Sequence, residues 1–216
     1  MDDIKKDQRF ADLRNKMVNT QLITRGIKDT KVLEAMGKVA RERFVTDILL
    51  KGSAYEDRPL PIGCGQTISQ PYIVALMTEE LRLDKDKKVL EVGTGCGYQT
   101  AILAELAGLV YSIEIVKDLY EMAKENLKDY ENVRIFMGDG RKGLKEHAPY
   151  DGIIVTAAPA SIPQALIDQL DIGGIMVIPV GPSSWNQELY RVEKHKSTIK
   201  KTKICDVAFV PLTRNG

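Results

Sequence analysis

Three glycines at alternate positions follow a short apolar run in this sequence. The run covers residues 89–92, and the glycines are Gly93, Gly95 and Gly97. Glycine at such a place lets the main chain turn tightly and approach a bound ligand closely. A plain turn between a strand and a helix needs fewer spaced glycines. The segment therefore predicts a ligand-binding loop between a strand and a helix.

The residue two positions before the first glycine helps to choose the ligand. A dinucleotide-binding loop has the spacing GxGxxG and holds a pyrophosphate at the helix N-terminus, whereas this loop reads GxGxG. A carboxylate at Glu91 would repel a pyrophosphate but would suit a cationic ligand. S-adenosylmethionine carries a sulfonium and an ammonium group and no phosphate. The loop therefore favours S-adenosylmethionine over a dinucleotide.

Two further acidic residues close the next predicted strands. Glu114 lies about twenty residues after the loop, where a carboxylate can accept both ribose hydroxyls. Asp139 stands between two glycines after the third strand, and there it can accept the adenine amino group. Because open α/β sheets bind ligands at the carboxyl ends of their strands, we expect these side chains to meet around one cofactor.

The elements that must position these residues alternate between strand and helix from residue 88 onward. Such alternation predicts βαβ units and a mostly parallel, doubly wound, Rossmann-like α/β sheet of about seven strands with helices on both faces. Two late segments without a helix between them are expected to pair antiparallel at one edge. Predicted strands cover residues 89–92, 110–115, 133–137, 150–156, 174–180, 188–193 and 202–212, and predicted helices cover 100–107, 116–127 and 162–170.

The N-terminal part has a different pattern and is predicted as a helical extension. Residues 10–50 carry apolar side chains at helical spacing, with a cap at Asp29 or Thr30. Residues 55–71 are rich in proline and glycine, which predicts a loop or an irregular extended run before a helix over 72–81. We divide the chain into residues 1–82, helices with an active-site loop, and residues 83–216, the cofactor-binding core. The two parts together form one compact domain in this interpretation.

Composition limits the classes of partner. The chain has 216 residues, 44% of them hydrophobic, and a formal net charge of +1, so no overall basic field attracts nucleic acid or anionic membranes. Its three cysteines form no CxxC pair, which favours a reducing cytosol. No apolar stretch reaches the ~18–20 residues that span a bilayer. We predict a cytoplasmic monomer with no nucleic-acid partner, no membrane partner and no metal site.

Beyond the glycine loop, the sequence resembles the protein-L-isoaspartate (D-aspartate) O-methyltransferase family from about residue 17 to residue 212. The run Thr-Ile-Ser-Gln-Pro at residues 67–71 is the most specific mark of that family. Its serine is assigned there to the active site and corresponds to Ser69. The family also has a changed order of its last two strands, which the predicted antiparallel edge neither confirms nor excludes. The other matching segments are residues 41–45, 59–63, 65–66, 156–159, 173–174, 179–181 and 207–212.

The resemblance implies a methyl esterification that depends on S-adenosylmethionine. The acceptor is the free carboxylate of L-isoaspartyl residues in damaged proteins and peptides, and the ester then cyclises to a succinimide, which begins repair. A carboxylate with a pKa near ~3.9 is already ionised at pH 7, so the reaction needs no general base. Ser69 is expected to hydrogen-bond this carboxylate and aim it at the methyl group. The alternative is that Ser69 caps the helix that follows it.

The damaged chain is expected to bind in an extended form, recognised through its backbone, because the damage occurs in many sequence contexts. The predicted substrate contacts are Pro61, Ile62, Gly63, Ile68, Phe209 and Val210. The predicted cofactor contacts are Thr67, Glu91, Gly93, Thr94, Gly95, Gly97, Glu114, Ile115, Asp139 and Gly140.

Other functions stay open at this point. One is a related methyltransferase that acts on RNA, DNA or a small molecule. Enzymes that methylate base amines often carry Asn/Asp-Pro-Pro-aromatic after the fourth strand, whereas residues 156–159 read Thr-Ala-Ala-Pro. Another is a dinucleotide oxidoreductase, which Glu91 and the loop spacing disfavour. The last is a module that binds the cofactor without turnover and serves protein interactions.

Overall fold

A seven-stranded sheet and a separate two-stranded hairpin organise the protein. The structure is a computed structural model that describes residues 2–182 and 186–212. The hairpin consists of β1 (Leu60–Gly63) and β2 (Gln66–Ile68), and the sheet contains β3 (Lys88–Val92), β4 (Leu109–Glu114), β5 (Val133–Met137), β6 (Tyr150–Val155), β7 (Leu170–Val180), β8 (Gln187–Lys194) and β9 (Ile199–Val207).

The sheet has the order β5-β4-β3-β6-β7-β8-β9. Strands β3 to β7 run parallel, and β8 and β9 are antiparallel to their neighbours. The chain builds one side of the sheet from β3 to β5 and then returns to the other side of β3 with β6. The strand order thus reverses between β3 and β6, and an open α/β sheet binds its ligands in the crevice at that point. The predicted doubly wound fold is confirmed.

Six α-helices flank the strands in the described part of the chain. The cap of the second helix is Asp29, whose carboxylate accepts hydrogen bonds from the backbone N–H of Lys31 and Val32; of the two predicted caps, Asp29 is therefore confirmed. The helices are α1 (Asp2–Met17), α2 (Thr30–Lys38), α3 (Pro71–Leu81), α4 (Tyr98–Leu106), α5 (Lys117–Asn126) and α6 (Gln164–Gln169).

The N-terminal part departs from its prediction in two places. The helical pattern predicted to residue 50 ends at Lys38, because the chain turns to bury Arg41, whose Nε donates to the carbonyl of Ala54 at 2.7 Å. The guanidinium of Arg41 lies 4.9 Å above the ring of Tyr98. Residues 55–71, predicted to be irregular, contain the β1–β2 hairpin, which pairs in spite of Pro61.

The last strands differ from the predicted limits but not from the predicted pairing. Strand β7 begins at Leu170, four residues before the predicted start, and β9 ends at Val207 rather than at residue 212. Strand β8 pairs with both β7 and β9, so the predicted antiparallel edge is confirmed. The last two strands thus follow each other in the sheet as they do in the chain.

One hydrophobic cluster draws on both proposed parts of the chain. It joins residues of α2 such as Met36 to residues of α4 such as Ile102, all of them buried. The division at residue 82 stays a prediction. Within residues 2–182 and 186–212, none of the helices combines the length and the apolar composition that crossing a bilayer requires.

Candidate functional site

A cavity opens at the carboxyl ends of β3, β4 and β6, where the strand order reverses. It holds about 790 Å³ of space free of atoms, part of it open to solvent. We call it the loop cavity, and it is lined by residues 66–69, 92–96, 113–116, 156–157 and 210–212, together with Ile62, Val74, Tyr98, Gln99, Leu119 and Gly140.

The glycines of the loop have separate roles. Gly93 has a φ of +96°, and a Cβ added there would lie 2.4 Å from the Thr156 hydroxyl, which itself donates to the Gly93 carbonyl at 2.7 Å. Only glycine permits this close approach of the residues that follow β3 and β6. Gly97 lies outside the cavity lining, at the start of α4, and a Cβ there would lie 2.8 Å from Leu127. Gly97 therefore serves packing.

Glu114 closes β4 at the cavity wall and holds the loop in shape. One of its carboxylate oxygens accepts the backbone N–H of Gly95 at 2.8 Å, and the other accepts those of Ile115 and Val116, each at 2.9 Å. An ionised carboxylate offers about four lone-pair positions. One position, on the oxygen bonded to Gly95, is therefore left for a ligand hydroxyl.

Glu91 lies beneath the loop rather than at its surface. The residue is fully buried and does not line the loop cavity. One carboxyl oxygen accepts from the hydroxyls of Thr100 and Ser112, and the other has no partner among the described residues. Burial raises the pKa of Glu91 to about 8, so the group is mostly neutral at pH 7. This geometry does not provide the predicted attraction between Glu91 and a cationic ligand, because the carboxyl supports the loop from below.

The raised pKa of Glu91 makes folding stability depend on pH. The folded protein keeps this proton from the ordinary pKa of 4.5 up to about 8, while the unfolded chain releases it. The free energy of unfolding should therefore fall by roughly 1.4 kcal/mol per pH unit between pH 5 and pH 8 on account of this group. In Glu91→Gln this contribution to the slope should disappear. Urea unfolding of both proteins across this range tests the assignment, and equal slopes would contradict it.

Asp139, predicted to accept the adenine amino group, is held by Arg141. Its carboxylate accepts the Arg141 backbone N–H at 3.1 Å, its Nε at 2.9 Å and a terminal guanidinium nitrogen at 2.6 Å. This guanidinium holds the pKa of Asp139 below its usual value. Gly140 lines the loop cavity but Asp139 does not. A contact between Asp139 and a base therefore stays a prediction.

A second recess, which we call the tail groove, adjoins the loop cavity. It is lined by Arg25, Pro59, Thr67, Ser69, Gln70, Tyr72, Ile73, Thr156 and residues 205–210. Thr67, Ser69, Thr156 and Val210 line both recesses. Three of these four residues carry a hydroxyl group, and that of Thr156 already donates to the carbonyl of Gly93. The boundary between the recesses thus presents short polar side chains.

The predicted site residues distribute unevenly over the two recesses. Phe209 and Val210, predicted for the substrate, line the tail groove, whereas Ile62 and Ile68 line the loop cavity. Pro61 and Gly63 line neither, because in β1 their side of the strand faces solvent. The predicted cofactor residues that line the loop cavity are Thr67, Gly93, Thr94, Gly95, Glu114, Ile115 and Gly140.

Ser69 does not cap α3. The capping position is Gln70, and the cap is supplied by Asp57, whose carboxylate accepts the backbone N–H of Tyr72 at 3.3 Å and the Gln70 amide at 2.8 Å. Asp57 also pairs with Arg25, whose guanidinium lies 3.5 Å above the Tyr72 ring. Asp57 and Arg25 escaped prediction because the contacts join residues 13 to 47 positions apart along the chain. The cap alternative for Ser69 is therefore wrong.

Removing the Asp57 carboxylate should loosen the segment that carries Ser69. In Asp57→Ala, the N-terminus of α3 loses its cap and the Gln70 amide loses an acceptor, so the free energy of unfolding should fall by about 1–2 kcal/mol. Urea denaturation measures this change. Asp84→Ala is the control, since it removes an exposed ion pair with Lys31 and should have a much smaller effect. Equal losses in the two variants would contradict the capping role.

Apart from the carboxylates of Glu114 and Asp206, the recesses offer few side chains that could act as an acid or a base. Cys96 lines the loop cavity, but burial raises the pKa of its thiol to about 11, so it is neutral at pH 7. Neither of the two histidines lines the loop cavity or the tail groove. The described residues contain no cluster of three or more histidine, cysteine or acidic side chains that could hold a metal ion.

Comparison with known proteins decides the family. The sequence profile of the protein-L-isoaspartate(D-aspartate) O-methyltransferase family matches residues 13–216. This chain belongs to that family. Membership makes it an enzyme, a methyltransferase, and confirms the resemblance read from residues 67–71 and the glycine loop.

Curated and solved members of the protein-L-isoaspartate O-methyltransferase family support the assignment. The protein from Synechococcus sp. (strain JA-2-3B'a(2-13)) is 57% identical over 176 residues, which cover 81% of this chain and 72% of that one. The protein from Gloeobacter violaceus is 50% identical over 200 residues, 92% of this chain and 97% of that one.

Two solved structures share the fold at a sequence identity of 29% each. One protein-L-isoaspartate O-methyltransferase has a TM-score of 0.83, with 94% of this chain and 66% of that chain covered. A Plasmodium falciparum protein assigned to the same family, in complex with S-adenosyl-L-homocysteine, has a TM-score of 0.80, with 95% and 99% covered. These comparisons confirm the fold and do not favour the alternatives of a nucleic-acid methyltransferase or a module without turnover.

Proposed function

We propose that this protein transfers the methyl group of S-adenosylmethionine to the free carboxylate of L-isoaspartyl residues in damaged proteins and peptides. The observation that carries the proposal is the shared boundary of the two recesses. A cofactor in the loop cavity and a substrate in the tail groove meet at Thr67, Ser69 and Thr156. Family membership supports the reaction, and the shared boundary supports the position that we propose for it.

The residues of the loop cavity fit S-adenosylmethionine. Its wall combines the carboxylate of Glu114, which suits a ribose hydroxyl, with the apolar side chains of Ile115, Val116 and Leu119, which suit the flat face of a base. Gly93 and Thr156, which follow the paired strands β3 and β6, approach each other closely and form part of the cavity lining. S-adenosylmethionine supplies an electrophilic methyl group on a sulfonium.

The chain then has to orient the acceptor and exclude water. The acceptor carboxylate is ionised at pH 7, so no side chain has to remove a proton. Ser69 donates a hydrogen bond to one carboxylate oxygen and directs the other across the boundary. Because Asp57 caps α3, the Ser69 hydroxyl is not required for the helix terminus. Alignment of two reactants in this way accounts for a large part of the rate that such enzymes supply.

The shape of the tail groove supports an extended substrate. One wall is the end of β9 and the segment that follows it, residues 205–210. Strand β9 pairs with β8 on one side, and it is the last strand of the sheet. An extended peptide can add to such an edge through main-chain hydrogen bonds, which do not depend on the substrate's side chains.

The test uses methyl-labelled S-adenosylmethionine and a matched pair of short peptides, one with isoaspartate and one with normal aspartate at the same position. Label that enters the isoaspartyl peptide alone, as a base-labile ester, supports the proposal. A D-aspartyl peptide forms the third arm. No label in any peptide, together with measurable binding of S-adenosylhomocysteine, would overturn the substrate assignment. Salt-sensitive binding to polynucleotide would then favour a nucleic-acid acceptor.

A further inference from the structure

The side chain of Gln187 continues a strand ladder beyond the point where the backbone pairing ends. Gln187 is the first residue of β8 and pairs with Val207, the last residue of β9. Two residues later, Phe209 has no backbone partner among the residues that the structure describes. The Gln187 amide takes that place: its Oε1 accepts the Phe209 N–H at 2.6 Å, and its Nε2 donates to the Phe209 carbonyl at 3.0 Å.

Burial makes this pair of bonds decisive for the local conformation. Gln187 is 1% exposed, and its Nε2 also approaches the Pro182 carbonyl at 3.4 Å. A buried amide that loses its partners carries an unfavourable desolvation energy, so the amide and Phe209 fix each other. Phe209 lies in the run 205–210 that forms one wall of the tail groove. A side chain outside that groove thus holds its wall.

A second pair of bonds, made by the backbone of Ala158, holds the next part of the tail. The Ala158 N–H donates to the Val210 carbonyl at 2.9 Å, and the Leu212 N–H donates to the Ala158 carbonyl at 2.9 Å. Residues 210–212 line the loop cavity. Among the described residues, the tail thus has two attachments: Gln187 holds Phe209 in the wall of the groove, and Ala158 holds residues 210–212, which line the cavity and of which Val210 also borders the groove.

We propose that Gln187 is a positioning residue that sets affinity for the peptide substrate without touching it and leaves cofactor affinity to the Ala158 attachment. The inference rests on the proposed function, in which the tail groove receives the peptide. Replacement of a residue with only a general structural role would weaken the binding of the peptide and of the cofactor together. Gln187 should affect the peptide alone.

The first variant is Gln187→Leu, which keeps the size of the side chain and removes both bonds. The KM for the isoaspartyl peptide should rise about tenfold, in keeping with the loss of a buried hydrogen-bonded pair, while kcat and the Kd for S-adenosylhomocysteine change less than about twofold. The matched control is Gln169→Leu, which removes another buried amide, bonded to the Lys142 carbonyl at 2.7 Å and outside both recesses. Its KM should equal that of the wild type.

The second variant, Gln187→Glu, adds a pH-dependent rescue. A protonated carboxyl reproduces both bonds, because its O–H donates to the Phe209 carbonyl while its other oxygen accepts the Phe209 N–H. An ionised carboxylate instead faces that carbonyl with an oxygen. Burial favours the protonated form. The KM ratio of this variant to the wild type should therefore fall toward one as the pH is lowered from about 8.5 to about 6, and that of Gln187→Leu should not.

Backbone hydrogen exchange separates this inference from the proposed function. In Gln187→Leu the amide of Phe209 should exchange faster, whether or not isoaspartyl peptides accept methyl groups. Unchanged exchange would overturn the attachment even if the wild type labelled no peptide. An unchanged KM, or a parallel rise in the peptide KM and the S-adenosylhomocysteine Kd, would overturn the assignment of peptide affinity to Gln187.

Discussion

Replacement of Ser69 by alanine should lower kcat for an isoaspartyl peptide about 100-fold while the Kd for S-adenosylhomocysteine stays within about threefold of the wild type. Ser69 lines both recesses at their boundary, and its hydroxyl is the group we place on the acceptor carboxylate. Loss of one preorganised donor at a reacting oxygen typically lowers kcat by ~10²–10³-fold. Steady-state kinetics with labelled cofactor, combined with calorimetry, measures both quantities.

The control for this prediction is Ser197→Ala, since Ser197 is an exposed serine between β8 and β9. It should match the wild type in both measurements. A Ser69→Ala protein with normal kcat would remove Ser69 from the reaction. Equal losses of kcat and of S-adenosylhomocysteine affinity would instead assign Ser69 to the cofactor.

Replacement of Glu114 by glutamine should weaken S-adenosylhomocysteine binding about 100-fold. The carboxylate accepts three backbone N–H groups and has one position left for a ligand hydroxyl. An amide in its place turns its NH₂ group either toward the Gly95 N–H, which also removes the acceptor for the ribose, or toward the N–H groups of Ile115 and Val116, so a donor faces a donor in both orientations. Hydrogen bonds to a charged group contribute ~1.5–3 kcal/mol each, and 1.4 kcal/mol corresponds to a tenfold change in Kd.

Calorimetric titration with S-adenosylhomocysteine measures this effect without any peptide. Glu121→Gln is a suitable control, because it removes a surface carboxylate on α5 that pairs with Lys124. It should leave the Kd unchanged. Unchanged affinity in Glu114→Gln would mean that Glu114 shapes the loop but does not contribute to the binding of S-adenosylhomocysteine.

The predictions that depend on residues close together in the sequence agree well with the structure. The apolar runs, the glycines after β3 and the cap at Asp29 are local features, and each predicts its element with an error of a few residues. The sequence predicted that the glycines permit a tight turn beside a ligand, and the structure adds that Gly93 also lies against Thr156, where a Cβ would not fit. The parallel sheet and its ligand-binding edge follow from the alternation of these elements.

The two acidic residues of the loop region illustrate where local reasoning fails. Glu91 and Glu114 both stand next to glycines or at a strand end, and the sequence alone assigns both to the cofactor. The alternation of side chains along β3 turns Glu91 into the interior, where its carboxyl accepts hydrogen bonds from Thr100 and Ser112. Glu114 instead ends β4 at the cavity. Both faces of β3 are buried, and only the packing of α4 against one of them brings the Thr100 hydroxyl to Glu91.

By itself, the sequence determined the fold class, the glycine loop and the family, and it singled out Ser69 as the candidate active-site residue, because each rests on residue types at short, fixed spacings. The tertiary structure alone decided that Asp57 caps α3, that Gln187 holds Phe209, and that β8 lies between β7 and β9. Each of these contacts joins residues that are distant in the chain or depends on strand order. Such contacts form when packed elements bring the partners together, so no local pattern of side chains predicts them.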